Sequence, residues 1–152
     1  MLRLSKKVLF AIEAVLDIAY NGGSEPVQSR EITRRQGIPR RYLEQALQQL
    51  VRRGILVGIR GPKGGYRLAR ERRRISVGDI VRAIRGVEGA PAVLPEDEPG
   101  SELGHRIVRP LWLGMQQQAL AELGKITIDD LCADADEKNI PSEGRTNLDF
   151  SI

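Results

Sequence analysis

Of its 152 residues the chain spends one on cysteine, Cys132, and one on histidine, His105. A single thiol excludes an internal disulfide, a cysteine-based zinc site and an iron–sulfur site held by cysteines alone. It fits a reducing cytosol. A lone histidine and a lone cysteine form no evident catalytic set, so no enzyme is expected. Long apolar runs are missing too. Residues 8–20 come nearest, but Glu13 and Asp17 interrupt them and they are too few to span a bilayer. No signal peptide is read at the N-terminus. These absences lead to the expectation of a cytoplasmic chain with no membrane partner. The phosphate-loop spacing G-x-x-x-x-G-K-[ST] is also absent, and no internal repeat is visible.

What is present is unevenly charged. The formal net charge is +4, but residues 1–90 hold 19 Lys/Arg against 8 Asp/Glu, while residues 91–152 hold 5 against 12. The two parts therefore carry +11 and −7. A basic first part followed by an acidic one points to a polyanion met by the first part alone.

Helical spacing dominates that basic part. Ser5 is placed to cap a first helix with Val8, Ile12, Val15, Leu16 and Ala19 on one face, ended by Asn21-Gly22-Gly23. Ser29 is placed to cap a second, short helix to about Gln36, which Gly37 terminates. Pro39 stands at or near the start of a third, with Leu43, Leu47, Leu50 and Val51 as its buried stripe and Gly54 as its close. Residues 55–60 alternate as a strand, and Tyr66 and Leu68 continue as its hairpin partner after a Gly/Pro turn. Ser76 and Asp79 make a capping-box pair for a fourth helix carrying Val77, Ile80, Val81 and Ile84, with Gly86 at its end. A longer helix is expected from about Pro110 to Leu123, unless Arg109-Pro110 kinks one that starts earlier. Thr127 and Asp130 cap one short final turn, and the rest reads as a polar, mobile tail.

The third helix and the hairpin carry the chemistry. Arg41, Gln45, Gln48 and Arg52, spaced by four, three and four, line one side of the helix opposite its apolar stripe, with Tyr42 and Glu44 flanking. Arginine can donate twice to guanine, glutamine can bracket adenine and glutamate can accept from cytosine. Glu44 either reads a base or pairs with a neighbour such as Arg40, and the sequence leaves both open. The hairpin Arg60-Gly61-Pro62-Lys63-Gly64-Gly65-Tyr66-Arg67-Leu68 has little bulk at its tip, so its backbone can approach a phosphate or enter a minor groove. Lys7, Arg40, Lys63 and Arg67 are the candidates for phosphate contact. The fold class is thus mainly α with a small β-hairpin wing: a winged helix-turn-helix that binds double-stranded DNA.

These segments resemble the Rrf2 family of bacterial winged-helix regulators, which includes IscR, NsrR and CymR. The matching stretches are Leu4-Ser5-Lys6-Lys7, Tyr42-Leu43-Glu44-Gln45, the hairpin, Ile75-Ser76-Val77-Gly78-Asp79-Ile80, Leu111-Trp112 and Ile126-Thr127-Ile128-Asp129-Asp130-Leu131. The resemblance covers residues 1–132 and rests on their order and spacing together. It implies a homodimer made through the helix carrying Leu111, Trp112, Met115 and Ala119. It implies base-reading positions at Arg41, Glu44 and Gln45, and a minor-groove arginine at Arg60. It divides the chain into a DNA-binding domain (1–85), an acidic loop (86–104), a dimerisation helix region (105–132) and a flexible tail (133–152).

Many relatives place three cluster-binding cysteines in that loop. Here it reads Pro91-Ala92-Val93-Leu94-Pro95-Glu96-Asp97-Glu98-Pro99, so no cofactor and no metal are expected. The acidic, cysteine-free loop resembles the CymR branch, which governs cysteine metabolism. The ending Asp149-Phe150-Ser151-Ile152 resembles the tails of serine acetyltransferases, which dock in cysteine synthase (O-acetylserine sulfhydrylase). A terminal carboxylate there mimics the substrate's. The resulting expectation is a dimeric repressor of cysteine or sulfur genes with cysteine synthase as partner. Its rivals are an iron–sulfur or redox regulator using Cys132 or His105, and a protein-only adaptor that inhibits cysteine synthase.

Overall fold

The computed structural model describes residues 5–88 and 99–144. Six α-helices and one hairpin follow in the order α1 (Lys6–Asn21), α2 (Ser29–Gln36), α3 (Arg40–Arg52), β1 (Leu56–Ile59), β2 (Gly65–Leu68), α4 (Val77–Glu88), α5 (Arg109–Leu123) and α6 (Ile128–Glu137). A 3-10 turn, Arg72–Arg74, leads into α4, and a π-helical turn, Gly104–Val108, leads into α5. No helix among the described residues is long and apolar enough to cross a membrane.

The core gathers around α1, which packs on α3, α4 and α6. Its buried positions Val8, Ala11, Ala14, Val15 and Ile18 put small side chains at the crossings, so neighbouring helices come close. Leu43, Ala46, Leu47 and Leu50 of α3 close over them. Val51, expected in that stripe, is instead exposed; Ala46 takes the inward place, because the stripe turns with the 3.6-residue period. Ile12, Leu16 and Ala19 of α1 are only partly buried, at the edge of the core.

Local chemistry sets most of the boundaries. Ser5 Oγ accepts from Val8 N at 3.4 Å. The N-cap of α2 is Gln28 rather than Ser29: Glu31 reaches back to accept from Gln28 N at 2.9 Å, and the Gln28 side chain caps the N3 amide. Ser76 and Asp79 form the expected reciprocal pair, each bond 3.0 Å. Gly86 does not end α4, which continues to Glu88. The helix before Leu111 does start earlier than Pro110, through the π turn. Pro110 then falls in the first turn of α5, where its missing N–H leaves no bond unmade.

Residues after Cys132 are not a loose tail as far as Gly144. The Thr127–Asp130 box opens a ten-residue helix, not one turn. Backbone bonds Val77 N to Ile126 O and Ile128 N to Ile75 O, both 2.8 Å, tie the starts of α4 and α6 together. Beyond α6 the chain folds back onto the end of α1. Tyr20 Oη donates to Ile140 O, and Ser142 Oγ donates to Tyr20 O at 2.5 Å. Glu143 N donates to Asn21 Oδ1 at 3.0 Å. Gly144 lies so close that a Cβ on it would stand 2.9 Å from Asn21 O, so only glycine fits without displacement. The terminal Asp149-Phe150-Ser151-Ile152 and most of the acidic loop lie outside the described residues.

Candidate nucleic-acid interface

The outward side of α3 is a row of long polar side chains. Arg41, Gln45, Gln48 and Arg52 are all exposed, and among the described residues none has a hydrogen-bond or ion-pair partner. They are free to meet base edges without first breaking internal bonds. Glu44 is not free: Arg40 Nε donates to its Oε1 at 2.9 Å, one helical turn away. In the unliganded protein the pairing reading of Glu44 therefore holds, and Arg40 is shared between that pair and the surface. Tyr42 leans on α1, its ring 6.2 Å from that of Phe10 and tilted by 40°.

The hairpin stands beside this row. Leu56 pairs with Leu68, Val57 with Arg67, Gly58 with Tyr66 and Ile59 with Gly65. Alternation along β1 does not decide burial: Ile55 and Leu56 are both inside, while Val57 and Ile59 are exposed, because the ribbon leaves the core after one residue pair. Its base is clamped to the segment before α2. Tyr66 N donates to Val27 O at 2.8 Å and Val27 N returns to Tyr66 O at 3.0 Å. Gly65, at φ 154°, makes the approach possible, since a Cβ there would meet Val27 O at 2.4 Å. Gln28 Nε2 donates to Pro62 O at 3.3 Å, fixing the tip.

Of the candidate phosphate-binding cations, Lys63 is exposed at the tip and has no partner among the described residues. Arg67 NH2 is engaged with Ser24 O at 2.9 Å, so it braces the wing against the α1–α2 loop. Lys7 is half-buried on α1 and has an interaction of its own. Arg40 and Arg60 face a cleft of about 880 Å³ between the start of α2 and the wing.

Sequence reasoning missed a buried ionic centre behind this surface. Asp17 sits on the inner face of α1, 2% exposed. Arg35 of α2 grips it twice, NH2 to Oδ1 at 2.7 Å and Nε to Oδ2 at 2.9 Å, and Gln36 Nε2 adds a third bond at 2.7 Å. Arg35 NH1 continues to Glu143 Oε2 at 2.5 Å, and Arg34 NH2 to Glu143 Oε1 at 3.1 Å. The bond to Asp17 raises the Arg35 pKa, against the cost of burial. Burial works against ionised Glu143 too, but Arg35 and Arg34 outweigh it and hold its carboxyl below the usual range. The signal available in the sequence was an acid inside an apolar helix face and an Arg-Arg pair on the next helix.

The dimerisation candidates fall on an unpaired face. No residue of α5 is fully buried. Leu103, Ile107, Leu111 and Met115 recur every four residues, the least exposed of them 50% accessible, with Trp112 and Leu113 alongside. Ala119 is half-buried and lines an apolar groove of about 320 Å³ with Val81, Leu120 and Leu123. Packing of this face on α1 does not occur; α5 rests on α4.

The donor set does not fit a thiolate-held iron–sulfur cluster. Cys132 is buried on α6, and burial pushes its thiol up against the opposing pull of Arg72. His105 Nδ1 lies 2.8 Å from Arg109 NH1, and among the described residues no three His, Cys, Asp or Glu side chains converge.

Comparison with known proteins gives a consistent pattern. Residues 4–134 match the family model described as Rrf2, iron-dependent transcriptional regulator. The chain is 34% identical over 131 residues to the HTH-type transcriptional regulator IscR of Cronobacter sakazakii, covering 86% of this chain and 80% of that one. Among solved structures it is similar to IscR of T. potens, with a TM-score of 0.73, 33% identity and 93% of each chain covered. It is also similar to CymR (YrzC), described as the global cysteine regulator of B. subtilis. There the TM-score is 0.69 at 30% identity, over 88% of this chain and 98% of that one.

Proposed function

The chain belongs to the Rrf2 family of transcriptional regulators, and from that premise we propose that it acts as a homodimeric repressor of cysteine or sulfur genes. It is a DNA-binding regulator and not an enzyme, as its relatives are. The observation that supports the reading best is the unpartnered row on α3 beside a wing whose tip is basic. In this reading Arg41, Gln45 and Gln48 enter the major groove, Arg60 reaches the minor groove, and Arg52 and Lys63 lie against backbone phosphates. Glu44 exchanges Arg40 for a cytosine amine when DNA arrives, and the released Arg40 turns to a phosphate. Two copies joined through Leu111, Trp112, Met115 and Ala119 then meet two half-sites on one side of the duplex.

Selection from random duplexes, followed by binding across a salt series, tests this. An enriched pseudo-palindrome is expected, with affinity falling about a thousandfold between low and moderate salt if six or more phosphates are contacted. Glu44→Ala should relax the preference at one base position and leave the salt slope unchanged. A folded protein that enriches no duplex would refute the assignment.

Cysteine genes enter through similarity to CymR and through the cysteine-free loop. The donor set argues against a resident cluster, so the signal must arrive another way. We assign it to cysteine synthase, held by Asp149, Phe150, Ser151 and Ile152. Gly144 is anchored at the end of α1, and the eight residues beyond it extend up to about 26–29 Å, enough to enter a partner's cleft. Calorimetric titration with the cognate synthase should show saturable binding that disappears when Ile152 is deleted and is competed by O-acetylserine. Equal heats from intact and shortened protein would remove the tail from the mechanism.

A further inference from the structure

The cleft between α2 and the wing is a site that the reading of α3 leaves without a role. Arg30, Arg40 and Arg60 line it, and no acid does. Arg30 is exposed and has no partner among the described residues. Ser29 and Arg30 occupy the first two positions of α2, so their side chains and the first free amides of the helix border the same space. In its wall the Thr33 hydroxyl is buried with no hydrogen-bond partner, a donor that an incoming acceptor or its water would satisfy. The two walls are not independent: the Val27–Tyr66 bonds and the Gln28–Pro62 bond hold the wing at a set distance from α2.

We propose that this cleft carries the sugar-phosphate strand that runs between the major groove read by α3 and the minor groove entered by the wing, with Ser29 and Arg30 as its phosphate clamp. The proposal rests on the DNA-binding reading above and adds residues to it. A phosphodiester suits the site better than a small anion. The cleft is open and leads from the α3 row to the wing, so a chain can pass through it, whereas an enclosed pocket would admit only a free ion. Its rigid frame matters because a phosphate fixes register without reading sequence, and register is what brings Gln45 to its base.

The test is binding of the selected duplex by intact protein and by Arg30→Ala, Arg30→Lys and Ser29→Ala variants across a salt series. Arg30→Ala should weaken binding several-fold at every base-pair variant of the site alike and lower the salt slope by about one unit. Arg30→Lys should restore the slope, because it restores the charge. Ser29→Ala should weaken binding with the slope unchanged. Wild-type binding with Arg30→Ala showing the same affinity and slope would overturn the clamp alone. Failure of the wild-type protein to bind any duplex would overturn both the clamp and the DNA-binding reading.

Discussion

Replacing both Leu111 and Met115 by glutamate is expected to turn a dimer into a monomer and to cost roughly two to four orders of magnitude in affinity for a two-half-site duplex. Both side chains are at least half exposed on α5 in the single chain, so the substitutions remove no internal packing and the monomer should keep its melting temperature. What they remove is the apolar face that a second copy would cover. A stripe of this length is larger than a lone soluble chain ordinarily leaves in water. Four carboxylates brought together in a low-dielectric seam would repel each other and find no cation. The loss in DNA affinity follows because one half-site must then be held without the effective concentration supplied by the other. Sedimentation equilibrium and binding to single and paired half-sites measure the two effects separately. A variant that stays dimeric would place the interface elsewhere.

Asp17→Ala should destabilise the fold by about 3–5 kcal/mol, the cost of leaving a buried charge without its partner. Asp17 is 2% exposed and the Arg35 side chain 11%, so solvent cannot replace the missing carboxylate. Glu143 would remain as the only acid on Arg35, and it comes from a segment that itself depends on the network. Asp17→Asn should cost less, because one acceptor is kept. Urea unfolding followed by circular dichroism gives the values; a loss below about 1 kcal/mol would mean that Arg35 swings out to water instead, as an exposed pair permits. The same network has a pH signature. The Glu143 carboxyl titrates below the ordinary range, so its contribution is present above the unfolded-state pKa and fades as pH falls through the lowered native value. Glu143→Gln should flatten that part of the acid unfolding curve.

This network also links two parts of the molecule that the sequence presents as unrelated. Glu143 lies more than a hundred residues from Arg34 and Arg35, yet it is clasped by both. The segment leading to the terminal tetrapeptide is thereby fastened to α2, whose first residues border the wing cleft. A protein that pulled on the tail would act on α2 directly.

Local features of the chain were enough to place nearly all of the helices and the hairpin. Ser76 with Asp79 and Thr127 with Asp130 are three residues apart, and Gly37 follows the last helical residue; such patterns act within one turn, so their physics is readable in order. The α3 row was legible for the same reason, since spacing along a helix is spacing on its surface. Where the reading failed, the deciding contacts were distant in sequence. Val51 and Ala46 exchanged places because the direction of the core, not the list of apolar residues, sets which side of α3 is inside. Gln28 displaced Ser29 as the cap because Glu31 could close a reciprocal pair around it. Residues 133–144 have too few apolar side chains to announce order, and they are ordered by Tyr20, Asn21 and the Arg34–Arg35 pair. Composition and periodicity thus determined a basic winged helix-turn-helix with an unusually apolar α5. Only tertiary packing decided that Asp17 is buried, that Arg67 braces the wing, and that Arg30 faces the cleft. An ion pair's worth depends on which charges meet and how dry the place is, and neither is a property of neighbours along the chain.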